Sequence, residues 1–160
     1  LQREFRVTLA GPTTLTALGP PQTLYPPNEG ATTASDDAIL RLETPGLRVL
    51  LLGAADSYAL DALTGSGEPL SSDVVVVAVA RGAPLDLSGP LGDVLRQAHP
   101  RAIIVTDSPA PVTRHKGVTL SADMWESDAD VSGATGAQVY RVSDTGALSL
   151  SGGAAGWTLG

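Results

Sequence analysis

Ala38-Ile-Leu-Arg-Leu-Glu-Thr44, then Pro45-Gly46, then Leu47-Arg-Val-Leu-Leu-Leu-Gly53 and Ala54-Ala-Asp56 is the stretch whose reading decides the fold. Pro45 brings a fixed φ to the second turn position, and Gly46 tolerates the positive φ of the third. The apolar runs on either side therefore fold back on each other as a β-hairpin. Val49 through Leu52 is apolar on both faces, the pattern of an interior strand. After Gly53 the period changes. Asp56-Ser-Tyr-Ala-Leu-Asp-Ala-Leu63 carries Leu60 and Leu63 three apart and reads as a helix. A core strand that ends in glycine and enters a helix is a usual place for a site, but this one is short of reactive side chains.

Downstream, Thr64-Gly-Ser-Gly-Glu-Pro69 is a breaker, and Asp73-Val-Val-Val-Val-Ala-Val79 is the strongest strand signal in the chain. Its unbroken apolar, mostly β-branched run suits a central strand covered on both sides. Ser88-Gly-Pro-Leu-Gly-Asp-Val-Leu-Arg-Gln-Ala98 opens a helix with Pro90 at its first position, and puts Leu91, Val94, Leu95 and Ala98 on one face. Pro100 stops it, and Arg101-Ala-Ile-Ile-Val-Thr106 is a further buried strand. Strand, helix, strand, helix, strand predicts right-handed crossovers and a parallel core. Upstream, Phe5–Leu9 and Thr13–Leu18 read as an antiparallel pair around Gly11-Pro12. Pro20, Pro21, Pro26 and Pro27 interrupt the segment from Gly19 to Asp37, which reads as an exposed loop. From Asp107 to Gly136 no period holds, and short strands such as Gly117–Leu120 are the expectation. Ala137–Val142 and Ala147–Leu150 read as a second hairpin about Asp144-Thr-Gly146, with Gly156–Leu159 as a closing strand.

At 160 residues the chain makes one domain with a real core. Aromatics are only 4% of it, so Val, Leu, Ala and Ile must do the packing. No apolar stretch reaches the roughly eighteen residues of a bilayer crossing. The first residue is Leu1 and no leader pattern follows it, so the chain reads as a domain or domain fragment cut from a longer protein. It has no cysteine, which removes disulfides and thiolate metal sites. The net charge of −7 repels phosphate backbones at long range.

The chemistry-bearing residues are sparse. His99 precedes Pro100 at a helix end, where a cation near the last carbonyls is the structural reading. His115 lies between Arg114 and Lys116, neighbours that disfavour a metal ion. Neither histidine belongs to a His-x-His or His-Glu-x-x-His spacing. Asp36-Asp37 and the set Asp123, Glu126, Asp128 and Asp130 supply oxygens of the kind calcium takes, yet their spacing is not that of an EF-hand, and solvated loop carboxylates are the preferred reading. There is no Gly-x-Ser-x-Gly elbow and no glycine-rich phosphate loop after a strand. Arg81, at the end of the central strand, is the candidate contact for an anion. Trp125 and Trp157 read as packing caps.

Taken in order, these elements resemble the second half of the metallo-β-lactamase-like domain at the C-terminus of the ComEC family of competence proteins, membrane channels for DNA uptake. The resemblance runs from about Leu18 to Leu150. It is carried by Ser35-Asp-Asp-Ala-Ile-Leu-Arg-Leu42, Gly46-Leu-Arg-Val-Leu-Leu-Leu-Gly53, Ser72-Asp-Val-Val-Val-Val77, His99-Pro-Arg-Ala-Ile-Ile-Val105 and Val139-Tyr-Arg-Val-Ser-Asp-Thr-Gly-Ala-Leu148. It implies half of an αββα sandwich. The metal positions depart from the family's pattern. Where the family has an aspartate after Thr-Gly this chain has Ala54, and where it has His-His-Gly this chain has Ala80-Arg81-Gly82. The family's His-x-His-x-Asp-His motif is not in these residues. Alanine cannot ligate, and Arg81 adds positive charge where a cation should sit.

The expected architecture is thus α/β, a mixed sheet with a parallel core, antiparallel hairpins and two or three helices. The expected function is that of a non-catalytic, metallo-β-lactamase-like module, the soluble domain of a bacterial cell-membrane protein of the ComEC type, with no cofactor and no catalytic residue. Its partners are then the rest of the parent protein and, weakly, DNA. One alternative is a metal-dependent nuclease or hydrolase with ligands outside this chain, taking zinc or manganese through Asp56, Asp107 or His115. The other is a structural dimerisation domain, a homodimer formed through an uncovered sheet face. That face would be covered by the strands from Phe5 to Leu18, by another copy, or by chain not present here.

Overall fold

The computed structural model describes residues 5–9, 11–19, 37–80, 83–108, 127–153 and 155–160. In chain order the elements are β1 (Arg6–Thr8), β2 (Thr14–Ala17), β3 (Leu40–Thr44), β4 (Leu47–Gly53), α1 (Ser57–Thr64), β5 (Val74–Ala80), α2 (Pro90–Ala98), β6 (Ala102–Ser108), α3 (Asp128–Thr135), β7 (Gln138–Arg141), α4 (Val142–Thr145), β8 (Leu150–Gly153) and β9 (Gly156–Leu159). β1 to β7 form one sheet in sequence order, and β8–β9 form a separate two-stranded ribbon. The deciding hairpin is β3–β4, in register from Leu40 opposite Leu51 to Thr44 opposite Leu47. Gly46 takes φ +79 in its turn, the conformation for which glycine is suited there. β1, β2, β3 and β4 run antiparallel in succession, whereas β4, β5, β6 and β7 run parallel.

Because each parallel strand is laid down on the same side of the one before it, right-handed crossovers place every connecting helix on one face. The packing follows. Ala59, Leu60 and Leu63 of α1, Val94, Leu95 and Ala98 of α2 and Val131 of α3 share a core with Leu50, Leu52, Val75, Val77, Ile103 and Val105. Asp56 caps α1, its side chain accepting from the Ala59 N–H at 3.1 Å. Pro90 opens α2 behind the cap residue Gly89. A second cluster lies on the opposite face, where Leu47, Val49, Val74, Ala102 and Ile104 meet Leu148, Leu150, Trp157 and Leu159 of the C-terminal ribbon and its approach.

Three expectations are corrected. The segment after residue 137 does not fold back on itself about Gly146. Gln138–Arg141 instead pairs parallel with β6, which satisfies the edge of β6 and sets Val139 and Tyr140 on its two faces. Val142–Thr145 then closes a helical turn, with Gly146 N–H bonded to Val142 O at 2.9 Å. The second hairpin is β8–β9, Leu150 opposite Leu159 and Gly153 opposite Gly156. Next, Asp128 and Asp130 are not loop carboxylates but open α3. Ser127 Oγ accepts from Asp130 N–H at 3.2 Å while Asp130 Oδ2 accepts from Ser127 N–H at 2.8 Å, a reciprocal capping box. Finally, β1 and β2 widen the sheet at its edge and do not cover its free face. With α4, the described residues hold four helices.

Candidate functional site

In open α/β sheets ligands bind beyond the carboxyl ends of parallel strands, in the crevice where strand order reverses and neighbouring crossovers part to opposite faces. Among the described strands the order from β4 to β7 never reverses, so they do not build such a crevice. Two described side chains near these ends are tied into the fold. Asp56 Oδ1 holds the first turn of α1. Arg141, closing β7, donates through Nε and Nη2 to the two carboxylate oxygens of Asp128 at 2.8 and 2.7 Å, and through Nη1 to Ala83 O at 3.2 Å. This bidentate pair, with the arginine side chain only 16% exposed, fastens α3 to β7 and to the chain after β5. At the end of β4, Gly53 takes φ +59, and a Cβ built there would lie 4.0 Å from Asp37 Oδ2. Asp107 sits in β6, in register with Val79 of β5. Arg81, His115, Trp125, Asp36, Asp123 and Glu126 lie outside the described residues, as do most of the loop expected from Gly19 to Asp37 and the strand expected at Gly117–Leu120. Among the described residues no group of three or more His, Asp or Glu is placed to hold a metal ion, and no helix is long and apolar enough to cross a membrane.

His99 stands at the other end of the sheet, where β6 begins. It ends α2 in the left-handed conformation, φ 49 and ψ 52, with its N–H on Leu95 O and its ring Nδ1 3.2 Å from Gln97 O. The structure thus makes it a C-terminal cap through its backbone, at the helix end where its sequence position put it. Nearby, Asp73 Oδ2 accepts from Arg48 N–H at 2.8 Å and stitches β4 to the start of β5.

The other candidate surface is the helix-free face of the sheet. Over β4 to β7 it meets the C-terminal ribbon, whose glycines allow a close approach. A Cβ on Gly152 would stand 2.8 Å from Leu47 Cβ and 2.9 Å from Thr44 Oγ1, and one on Gly46 would collide with Gly153 O. Trp157 packs against the apolar cluster of this face, the packing cap expected of it, and the Arg101 guanidinium lies over its ring at 5.4 Å. Beside the ribbon an apolar groove of about 530 Å³ opens, floored by Leu42, Leu47, Val49, Leu51 and Val76 and walled by Leu150. A smaller hollow of about 60 Å³ continues toward the sheet edge between Phe5, Val7, Leu15, Ala17 and Leu40. Sequence reading missed the ribbon as the cover of this face. The signal was present in Leu148, Leu150, Trp157 and Leu159 flanking a glycine-rich turn.

Comparison with protein families, with curated proteins and with solved structures finds no match to the chain.

Proposed function

We propose that this chain is the sheet-and-helix half of a two-sheet sandwich, a non-catalytic metallo-β-lactamase-like module of a ComEC-type DNA-uptake membrane protein that serves assembly or DNA guidance. One observation carries the reading: on the outer strands, the apolar side chains point away from the helix layer and the polar ones toward it. Over β1 to β3 the helix-side positions are Arg6, Thr8, Thr14, Thr16, Arg41 and Glu43, and the helix-free positions are Val7, Leu15, Ala17, Leu40, Leu42 and Thr44, with Phe5 just before β1 on the same side. Arg41, only 8% exposed, is held on the helix side by Pro69 O at 2.8 Å and by Glu43 at 3.5 Å. Among the described strand residues the helix-free face carries no charged one from Val7 on β1 to Tyr140 on β7. The part of that face beside the C-terminal ribbon, over β1 to β3 and the groove at Leu51 and Val76, is built for burial against a second sheet, which packs about 10 Å away in sandwiches. The occupant in this reading is a sheet supplied by the rest of the parent protein.

The chemistry of the strand ends supports a role without catalysis. Ala54 follows β4, Ala80 closes β5, and Asp56 has a carboxylate oxygen committed to α1. The test is calorimetric titration of the metal-stripped chain with zinc and with manganese near neutral pH. No stoichiometric heat is expected. Binding at micromolar affinity or tighter would hand the reading to a metal-dependent nuclease completed by ligands elsewhere in the parent, and would make Asp56, Asp107 and His115 the residues to mutate. Guidance of DNA is read separately from a labelled duplex at low salt, where weak, salt-labile binding is expected.

A further inference from the structure

The β8–β9 ribbon covers part of the helix-free face without being stitched to it. It forms a sheet of its own. Beyond the β8–β9 ladder its backbone bonds stay inside it, Ser149 N–H to Gly160 O at 2.7 Å and Gly160 N–H to Ser149 O at 3.1 Å. Among the described residues no hydrogen bond or ion pair joins it to the seven-stranded sheet. Contact is made by the half-buried Leu148, Leu150, Trp157 and Leu159, and by Arg101 over the Trp157 ring. The seat is imperfect, because Trp157 Nε1 is buried with no hydrogen-bond partner among the described residues, a donor that water would satisfy. The chain enters the ribbon through Gly146, whose φ of 78 and ψ of −150 lie in a region open essentially to glycine alone. A Cβ added there would meet nothing within 4 Å, so the constraint is on backbone angle and not on space. In the cluster that the ribbon covers, Leu47, Val49, Val74, Ala102 and Ile104 are at most 5% exposed.

We propose that β8 and β9, with residues 147–149 before them, form a hinged strap that swings off as a unit about Gly146 and uncovers this cluster. Leaving breaks no hydrogen bond of the seven-stranded sheet, so the rest of the fold stays intact. Release re-exposes four half-buried side chains, which places the open form at about one molecule in 10²–10⁴. Global unfolding is rarer, about one in 10⁴ or fewer. A two-stranded ribbon on its own is marginal in water, so the strap loses its ladder once it leaves. Release would extend the open apolar face from β1 to β7, and in that use it rests on the sandwich reading: the docking sheet takes the place of the strap. The opening itself belongs to the isolated chain, whatever docks there.

The test uses the whole 160-residue chain, which has no cysteine of its own. Val74 and Val75 are neighbours on β5 and both 0% exposed, the first in the cluster under the strap and the second under the helices. Val74→Cys and Val75→Cys are therefore matched probes for a thiol reagent. Val74→Cys is expected to react about 10²–10⁴-fold more slowly than a free thiol, at a rate that low urea barely changes, because a local opening exposes little surface. Val75→Cys should react more slowly still, through global unfolding, at a rate that climbs with urea. Gly146→Ala strains the docked form and should speed Val74→Cys by about five- to a hundredfold. Ser127→Ala weakens the helix layer in the docked and open forms alike, so it should speed Val75→Cys about fivefold and leave Val74→Cys unchanged. In the unsubstituted chain, amides of Ser151 and Thr158, opposed in the ladder, should exchange through the same low-urea-insensitive opening, a readout that stands even where a cysteine variant fails to fold. Equal rates and equal urea dependence for the two cysteines would overturn the proposal. So would a Val74→Cys rate indifferent to Gly146→Ala, or Ser151 and Thr158 amides that exchange only together with those of Val75 and Ile103. Opening in the isolated chain with no sheet docked in the proposed parent would sink the sandwich reading and leave the strap standing.

Discussion

Gly152→Ala tests how the ribbon is seated. The added Cβ would stand 2.8 Å from Leu47 Cβ, 2.9 Å from Thr44 Oγ1 and 3.1 Å from Leu47 Cδ2. Carbon atoms pack at about 3.5–4.0 Å, so the ribbon backbone must lift by roughly 1 Å. Leu47 cannot turn away, because the clashing Cβ is fixed to β4 and the residue is only 4% exposed. Two responses compete. Lifting costs what overpacking costs, about 1–3 kcal/mol. Detaching would re-expose Leu148, Leu150, Trp157 and Leu159, each half-buried, at roughly half of the 1.5–3 kcal/mol for a full side chain, or about 3–6 kcal/mol together. Lifting is the cheaper response. The expected result is a urea midpoint shift worth about 1–3 kcal/mol, with Trp157 emission moved modestly to the red in a Trp125→Phe background. A stability change below about 0.5 kcal/mol, the scatter of ordinary surface substitutions, with unmoved emission would refute the seating.

Other outcomes follow from the helix layer. Gly133 lies in α3 with nothing within 4 Å of an added Cβ, so Gly133→Ala should stabilise by about 0.5–1 kcal/mol in urea melts. Ser127→Ala removes the cap of α3 and should cost about 1 kcal/mol. The Ser127 hydroxyl, then its N–H, holds the Asp130 carboxyl below the usual aspartate range. A lowered folded value means this contribution is fully present above the unfolded value, near pH 4, and fades as pH falls through the folded one. The gap between wild type and Ser127→Ala in a pH series should therefore narrow on acidification, leaving the part due to the Asp130 N–H bond to Ser127 Oγ. Asp128→Asn leaves the largely buried Arg141 without its bidentate anion and should destabilise by about 1–3 kcal/mol, read by hydrogen exchange across α3.

The parallel core was legible because its signals are local and mutually consistent. Pro45-Gly46 marks the turn, Val74–Val77 marks a strand covered twice, and Gly89-Pro90 marks the start of α2. α3 escaped because its apolar content is nearly nil: Val131 is its one buried hydrophobic residue, so there is no period to detect. The readable sign was Ser127 followed three residues on by Asp130, the spacing of a capping box. The second hairpin was misplaced because Asp144-Thr-Gly146 and Gly152-Gly153 are comparable turn signals. What decides between them is non-local: the open edge of β6, which Gln138–Arg141 satisfies. The inverted polarity of β1 to β3 was written in the alternation of Phe5–Leu9 and Thr14–Leu18. Its direction became readable only when the helices were known to share one face.

The central claim is that the helix-free face is an interface. Its most direct measurement is the paramagnetic relaxation of methyl signals by a soluble nitroxide, recorded for the isolated chain and for the chain within the proposed parent protein. The account predicts that the Leu42, Leu51 and Val76 methyls are broadened in isolation and protected in the parent, while Leu50, Val75 and Ile103 stay protected in both. Equal broadening of Leu42, Leu51 and Val76 in the two samples would contradict it.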